Sequence, residues 1–357
     1  MSSLSNESVV WPKLRALAFE RDPALLAGRV GRWRWYWLFV GNALLVVLLA
    51  GALMAAGWAD EWVSGLFGRG GSFEEDVLYT ANRPATFIGI CIASLAFVLP
   101  VIIVLQLVHG QSWRLALGRD GRFSWSDFGK AATASFVVFF IVGAVEYVIF
   151  PERLSVRSHG IAHLPWVLLA ALVTFPQAFS EDFLFKGYVT RIWGAVVPFR
   201  IFVVLAAGML FTSLHSGNSD VKADLWFMLI GFLLGDLLML TMYLRAGSLG
   251  AVTGLHWMNN VMVICLVTRV PGYKNELALM EYRDPVLMAG KSHLTNPESW
   301  ATLIVGFLLL YFFLTWRRSP FSLPYVPVPV APAEAVPEPG LKEDVDPQIQ
   351  HRVQPRG

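Results

Sequence analysis

The feature that most limits how this 357-residue chain can fold is the recurrence of apolar runs long enough to cross a bilayer. About 20 consecutive apolar residues span the hydrocarbon core as a helix, and a helix satisfies its own backbone N–H and C=O groups where no water can. Such runs fall at about 37–58, 85–108, 131–150, 163–193, 199–215, 224–244, 248–268 and 299–316. The expected fold is therefore all-α, a polytopic membrane helix bundle with about eight transmembrane helices. Composition points the same way: 55% of residues are hydrophobic and only 15% charged, unlike a soluble globular protein. The formal charge of +2 says nothing about nucleic acid, which is not expected as a partner; the basic residues are distributed by membrane side.

The chain divides by composition into five stretches. Residues 1–36 form a basic N-terminal segment ending in Trp33, Trp35 and Tyr36 beside Arg32 and Arg34, a pairing favoured at a membrane–water interface. N-terminal transmembrane helices follow over 37–162, then a helical core over 163–268, then a loop and the last span over 269–318. The tail, 319–357, is spaced by prolines from Pro320 to Pro339 and is too poor in apolar residues to fold, so disorder is expected. The first loop is acidic, with Asp60, Glu61, Glu74, Glu75 and Asp76. Basic residues collect on the other side, in the N-terminal segment, at Arg114, Arg119, Arg122 and Lys130, and at Arg317 and Arg318. With eight spans both termini share that side, expected to be the cytoplasmic face of the cell (inner) membrane. The run after Trp37 is too long for a signal-peptide core and is expected to remain as an anchor. Cys91 and Cys265 lie inside apolar runs, as small buried hydrophobes do, and carry no disulfide framework or thiolate zinc pattern.

Against this background Glu181, Asp182 and Lys186 stand out. An ionisable side chain at bilayer depth costs roughly 2.5–3.5 kcal/mol on insertion scales, so three within six positions call for pairing or function. Asp182 and Lys186 are four apart and can pair within their helix. Two further runs carry polar residues at the same spacing: Phe211 with His215, and His256 with Asn260. A glutamate beside a histidine can deprotonate a water. A histidine and an asparagine on one helix face can present donors to a developing oxyanion. Counting about 1.5 Å per residue places Glu181 and His256 in the cytoplasmic half of the membrane and His215 higher.

These three runs, Glu181-Asp182-x-x-x-Lys186, Phe211-x-x-x-His215 and His256-x-x-x-Asn260, resemble in type and order those of the CPBP intramembrane endopeptidase family. That family includes the CAAX prenyl endopeptidases and the abortive-infection-like proteins. Tyr243-Leu244-Arg245-Ala246-Gly247-Ser248-Leu249, leading to Gly254-Leu255-His256, is similar too, and the likeness covers roughly 165–268. The resemblance implies an intramembrane endopeptidase in which Glu181 and His215 activate water, His256 and Asn260 bind the oxyanion, and Asp182, Lys186 and Phe211 support them. It implies as partners the lipid bilayer and a membrane-associated substrate, prenylated or a leader peptide. Asp182 replaces the family's second glutamate and Lys186 its arginine, exchanging a planar fork for a point charge.

Other readings follow from the same residues. A non-catalytic relative, acting in bacteriocin immunity or partner binding, would keep the scaffold without the reaction. A transporter would use Glu181, Asp236 and the histidines as relay groups, but no inverted repeat is evident. No cofactor is expected. A zinc ion on Glu181, His215 and His256 is the chemical alternative, without a His-Glu-x-x-His helix to hold it. Asp236 reads equally as a helix-pairing group, Glu146 as an outer-interface residue, and Gly231 with Gly235 as a helix-packing pair.

Overall fold

The computed structural model describes residues 31–32, 34–66, 94–157, 164–216, 224–270 and 278–325. The basic segment before Gly31, the acids Glu74, Glu75 and Asp76, Cys91, His159, His163 and the tail from Val326 lie outside these residues. The chain is a polytopic helical membrane protein. Among the described residues six helices are long and apolar enough to cross a bilayer, and two shorter apolar helices occupy the other expected positions.

In chain order the helices are α1 (Trp35–Leu66), α2 (Val98–Ile103), α3 (Trp125–Ile149), α4 (Leu164–Asp182), α5 (Thr190–Val196), α6 (Arg200–Leu214), α7 (Leu225–Ala246), α8 (Leu249–Asn260), α9 (Pro285–Met288) and α10 (Pro297–Thr315). α1 runs on past the expected end of its span, so Asp60 and Glu61 lie on helix rather than in a loop. A π-helical stretch, Phe183–Val189, joins α4 to α5, and a second, Val261–Leu266, prolongs α8. Each begins directly beyond a polar run, after Asp182 and after Asn260; π turns recur at functional sites because they re-aim side chains within a helix.

The helix ends follow from local chemistry. Ser124 caps α3 by accepting from Asp127 N at 3.2 Å. Asn296 caps α10 just ahead of Pro297, which occupies a first-turn position where its missing N–H costs nothing. α7 ends on Gly247 at φ +64°, a left-handed conformation that glycine adopts without strain, and Ser248 then caps α8.

The tightest helix crossing lies between α3 and α8. A β-carbon on Gly250 or Gly254 would collide with the carbonyl oxygens of Ser124 and Phe128, so this small-xxx-small pair lets two backbones touch. Gly231 and Gly235, expected to play that part, instead meet only side chains of α10, Leu303 and Phe307, at ordinary van der Waals range. The main core gathers Val104, Leu105, Tyr188, Val204, Leu240 and Leu249 from the middle helices.

A three-stranded sheet joins loops at one end of the bundle, an addition to the expected all-helical plan. β1 (Leu154–Val156) pairs antiparallel with β3 (Met280–Arg283), and β2 (Val267–Val270) pairs parallel with β3 on its other side. Arg153 fastens it, reaching Glu146 at 2.8 Å and Glu298 at 2.9 Å, while Tyr282 donates to Glu146 at 2.9 Å. Burial lowers the Arg153 guanidinium, but Glu298 and Glu146 outweigh it and hold the group above its ordinary value. Burial and the Glu146 carboxylate push the Tyr282 hydroxyl up to about 12.

Candidate active site

Glu181 and Asp182 end α4 side by side, and consecutive helical side chains diverge by about 100°. They therefore meet different neighbours. Glu181 Oε1 accepts from Gln177 Nε2 one turn earlier, at 3.2 Å. Its Oε2 is buried without a hydrogen-bond partner among the described residues. That oxygen faces two imidazoles, His256 Nε2 at 3.6 Å and His215 Nε2 at 3.9 Å. Asp182 is fully buried and takes His256 from the other side, Oδ1 to Nδ1 at 3.1 Å.

The ring nitrogens are assigned by these partners. A backbone carbonyl and a carboxylate only accept, so the protonated Nδ1 of His215 donates to Phe211 O at 2.8 Å, and that of His256 to Asp182. Both Nε2 atoms then face Glu181. The rings are held by packing as well: Phe211 lies 4.4 Å from the His215 ring and edge-on to His256 at 5.8 Å, and Phe232 stacks on His215 at 5.0 Å. The four-residue spacing of Phe211 and His215 thus serves both a ring contact and a backbone hydrogen bond.

Lys186, on the π-helical stretch, is fully buried between Asp182 Oδ1 at 3.5 Å and Asp236 Oδ1 at 2.5 Å, and it sits 4.0 Å over the Phe211 ring. Asp236 of α7 is therefore a member of the cluster, which the sequence left open between pairing and function. Gln177 is a second member that the sequence reading passed over; its signal was the Gln–Glu spacing of four. Asn260 behaves differently. It lies one turn beyond His256, half-buried, with Oδ1 accepting from Asn259 at 3.4 Å, and it does not enter the hydrogen-bond and ion-pair network around Glu181. Among the described residues no three His, Cys, Asp or Glu side chains converge as a metal-ligand set. Cys265 is buried as a free thiol.

The depth mismatch counted from sequence is absent, for two reasons. α6 has 15 residues, about 22 Å, and with its C-cap His215 it matches the stretch from Glu181 to Val196, so Glu181 and His215 stand level above their shared turn. The turn between α7 and α8 is meanwhile drawn inward. Leu249 N donates to Leu117 O and Arg119 N to Gly247 O, both at 2.9 Å, while the Ala116 carbonyl packs against Gly187. From that anchor Glu181 and His256 each lie about two turns along their helices.

Residues 161–262 match the family model described as type II CAAX prenyl endopeptidase Rce1-like. The sequence is 23% identical over 174 residues, 48% of this chain, to the uncharacterized protein YyaK of Bacillus subtilis (strain 168). The matched stretch spans 58% of the length of that curated relative. No solved structure matches. The family match supports a CAAX-type intramembrane protease kind of function, and the stretch it covers holds Glu181, His215, His256 and Asn260. Through that stretch the chain resembles the CPBP intramembrane endopeptidase family, as its three polar runs do.

Proposed function

We propose that this protein is an intramembrane endopeptidase that hydrolyses a peptide bond by water attack, with Glu181 as general base. The observation that carries the reading is the buried Glu181 Oε2, without a hydrogen-bond partner among the described residues, on which two imidazole Nε2 atoms converge at 3.6 and 3.9 Å. Glu181, oriented through Gln177, takes the water proton, and His215 Nε2 hydrogen-bonds the same water. The water oxygen adds to the scissile carbonyl carbon as the carbonyl π bond opens onto oxygen. His256, able to become an imidazolium against Asp182, donates from Nε2 to the oxyanion, and Asn260 Nδ2 supplies a second donor. Collapse breaks the C–N bond as the proton held by Glu181 passes to the leaving amine.

The substrate we propose is a membrane-associated or lipid-modified peptide, prenylated or a leader segment. Phe175 and Phe179 of α4, stacked at 6.1 Å, pack with Phe123, Trp125 and Phe128 on the face of α4 away from Glu181, so the support for this substrate class is the family match. The test uses purified protein in nanodiscs with a panel of membrane-anchored peptides. Wild type is expected to cleave at least one, unchanged by metal chelation, and Glu181→Gln to cleave it at least about a hundredfold more slowly while remaining folded. Full activity in that variant would refute the assignment, and rescue of a cellular phenotype by it would favour the non-catalytic reading.

A further inference from the structure

We infer that Asp236 is a positioning residue for this site, holding Lys186 away from Asp182 so that Asp182 stays the carboxylate partner of His256. For its kinetic consequence the inference rests on the endopeptidase reading; its geometry stands apart from it. Lys186 has two carboxylates within reach on different helices, and the nearer is Asp236, 2.5 Å against 3.5 Å for Asp182. Coulomb attraction falls with distance, so Asp236 holds the larger share of the ammonium. The approach is an ion contact without hydrogen-bond geometry, since both Asp236 oxygens lack a hydrogen-bond partner. All three side chains are fully buried, where little solvent screening intervenes.

The competition falls on one atom. Asp182 Oδ1 is the oxygen that takes both His256 Nδ1, at 3.1 Å, and Lys186 Nζ. With Asp236 uncharged, Lys186 would close on that oxygen and weaken its bond to the imidazole. Two other features fit this arrangement. A lysine, as a compact point charge, can face carboxylates in two directions where a planar guanidinium is built to grip one. Gly208 of α6 leaves room for Asp236, because a β-carbon there would lie 3.2 Å from Asp236 Oδ2. The charged and titratable groups around His256 are then Glu181, Asp182 and Lys186 from α4 and its π-helical extension, His215 from α6 and Asp236 from α7.

The experiment reads the imidazole directly. Full-length protein labelled with [15N]histidine in detergent gives a His256 Nδ1–H signal, identified by its loss in His256→Gln. In Asp236→Asn this proton is expected to move upfield as its hydrogen bond weakens, and kcat for a cleaved peptide to fall about tenfold with KM within about twofold. Asp236→Asn/Lys186→Met buries no lone ammonium and is expected to return the signal to its wild-type position and to recover most of kcat. A wild-type signal in Asp236→Asn, or an upfield signal in the double variant, overturns the inference. A merely structural Asp236 would lower thermal stability and leave the imidazole signal in place. Should wild type cleave no peptide, the endopeptidase reading fails while the imidazole signal still decides this one.

Discussion

Glu181 and Asp182 are adjacent in the chain yet face different histidine atoms, and each side chain's surroundings decide its work. Glu181 keeps a buried oxygen open toward two Nε2 atoms, whereas Asp182 is occupied by His256 Nδ1 and Lys186. General-base catalysis contributes about 10²–10⁴-fold, so Glu181→Gln, which keeps the shape and the Gln177 contact, is expected to lose that much in kcat against any cleaved peptide. Tyr282 offers a test outside the membrane. Its hydroxyl titrates at about 12 in the fold against about 10 in an unfolded chain. The raised value means its contribution to stability is complete below about pH 10 and is lost as pH rises toward about 12. Absorbance titration of wild type minus Tyr282→Phe should therefore show a tyrosinate midpoint near 12; a midpoint near 10 would contradict the buried contact with Glu146. Spacing in the sequence exposed the Glu181, His215 and His256 runs because each carries polar atoms into an apolar helix. It could not give Asp236 its partner, since Lys186 and Asp236 lie on different helices and meet only in the folded bundle.

Helix packing sets where those side chains meet. Gly250 and Gly254 bring α8 against the backbone of α3, and His256 follows within one turn of Gly254. Gly254→Val would force the helices apart, and overpacking of this kind costs about 1–3 kcal/mol. A thermal-unfolding scan in detergent should show the loss, with cleavage falling further than the folded fraction because His256 moves with α8. Unchanged melting would mean that the crossing is looser than described. By contrast, Gly231→Ala should be tolerated, since only Leu303 of α10 approaches it, at 3.9 Å. The end of α3 and the start of α10 lie within two residues of the expected 150 and 299, whereas α3 begins at Trp125 rather than 131, because Ser124 caps a polar first turn that hydropathy passes over. The level of His215 was not legible, because residue counting assumed spans of full bilayer length, while α6 is short and the α7–α8 turn is drawn in by contacts from Leu117 and Arg119.

For the molecule as a whole, the distribution of lysine and arginine gives one topology to check. Single cysteines placed at each terminus of a cysteine-free variant should both react with a membrane-impermeant thiol reagent only after permeabilisation from the cytoplasmic side; opposite accessibility of the two ends would require an odd number of spans. The small sheet is a feature that alternation in such short strands could not announce. Its strands come from two connections, β1 from that between α3 and α4 and both β2 and β3 from that between α8 and α9, and are held by Arg153 and Tyr282 contacts to Glu146. Hydrophobicity along the chain was enough to dictate a multi-spanning helical bundle, because a bilayer permits few alternatives to an apolar helix. Side-chain type and i, i+4 spacing were enough to nominate the glutamate and the two histidines. Which nitrogen faces which oxygen and the sharing of Lys186 between two carboxylates depend on how distant helices pack. Those are through-space distances of a few ångströms, and the order of residues along the chain does not encode them locally.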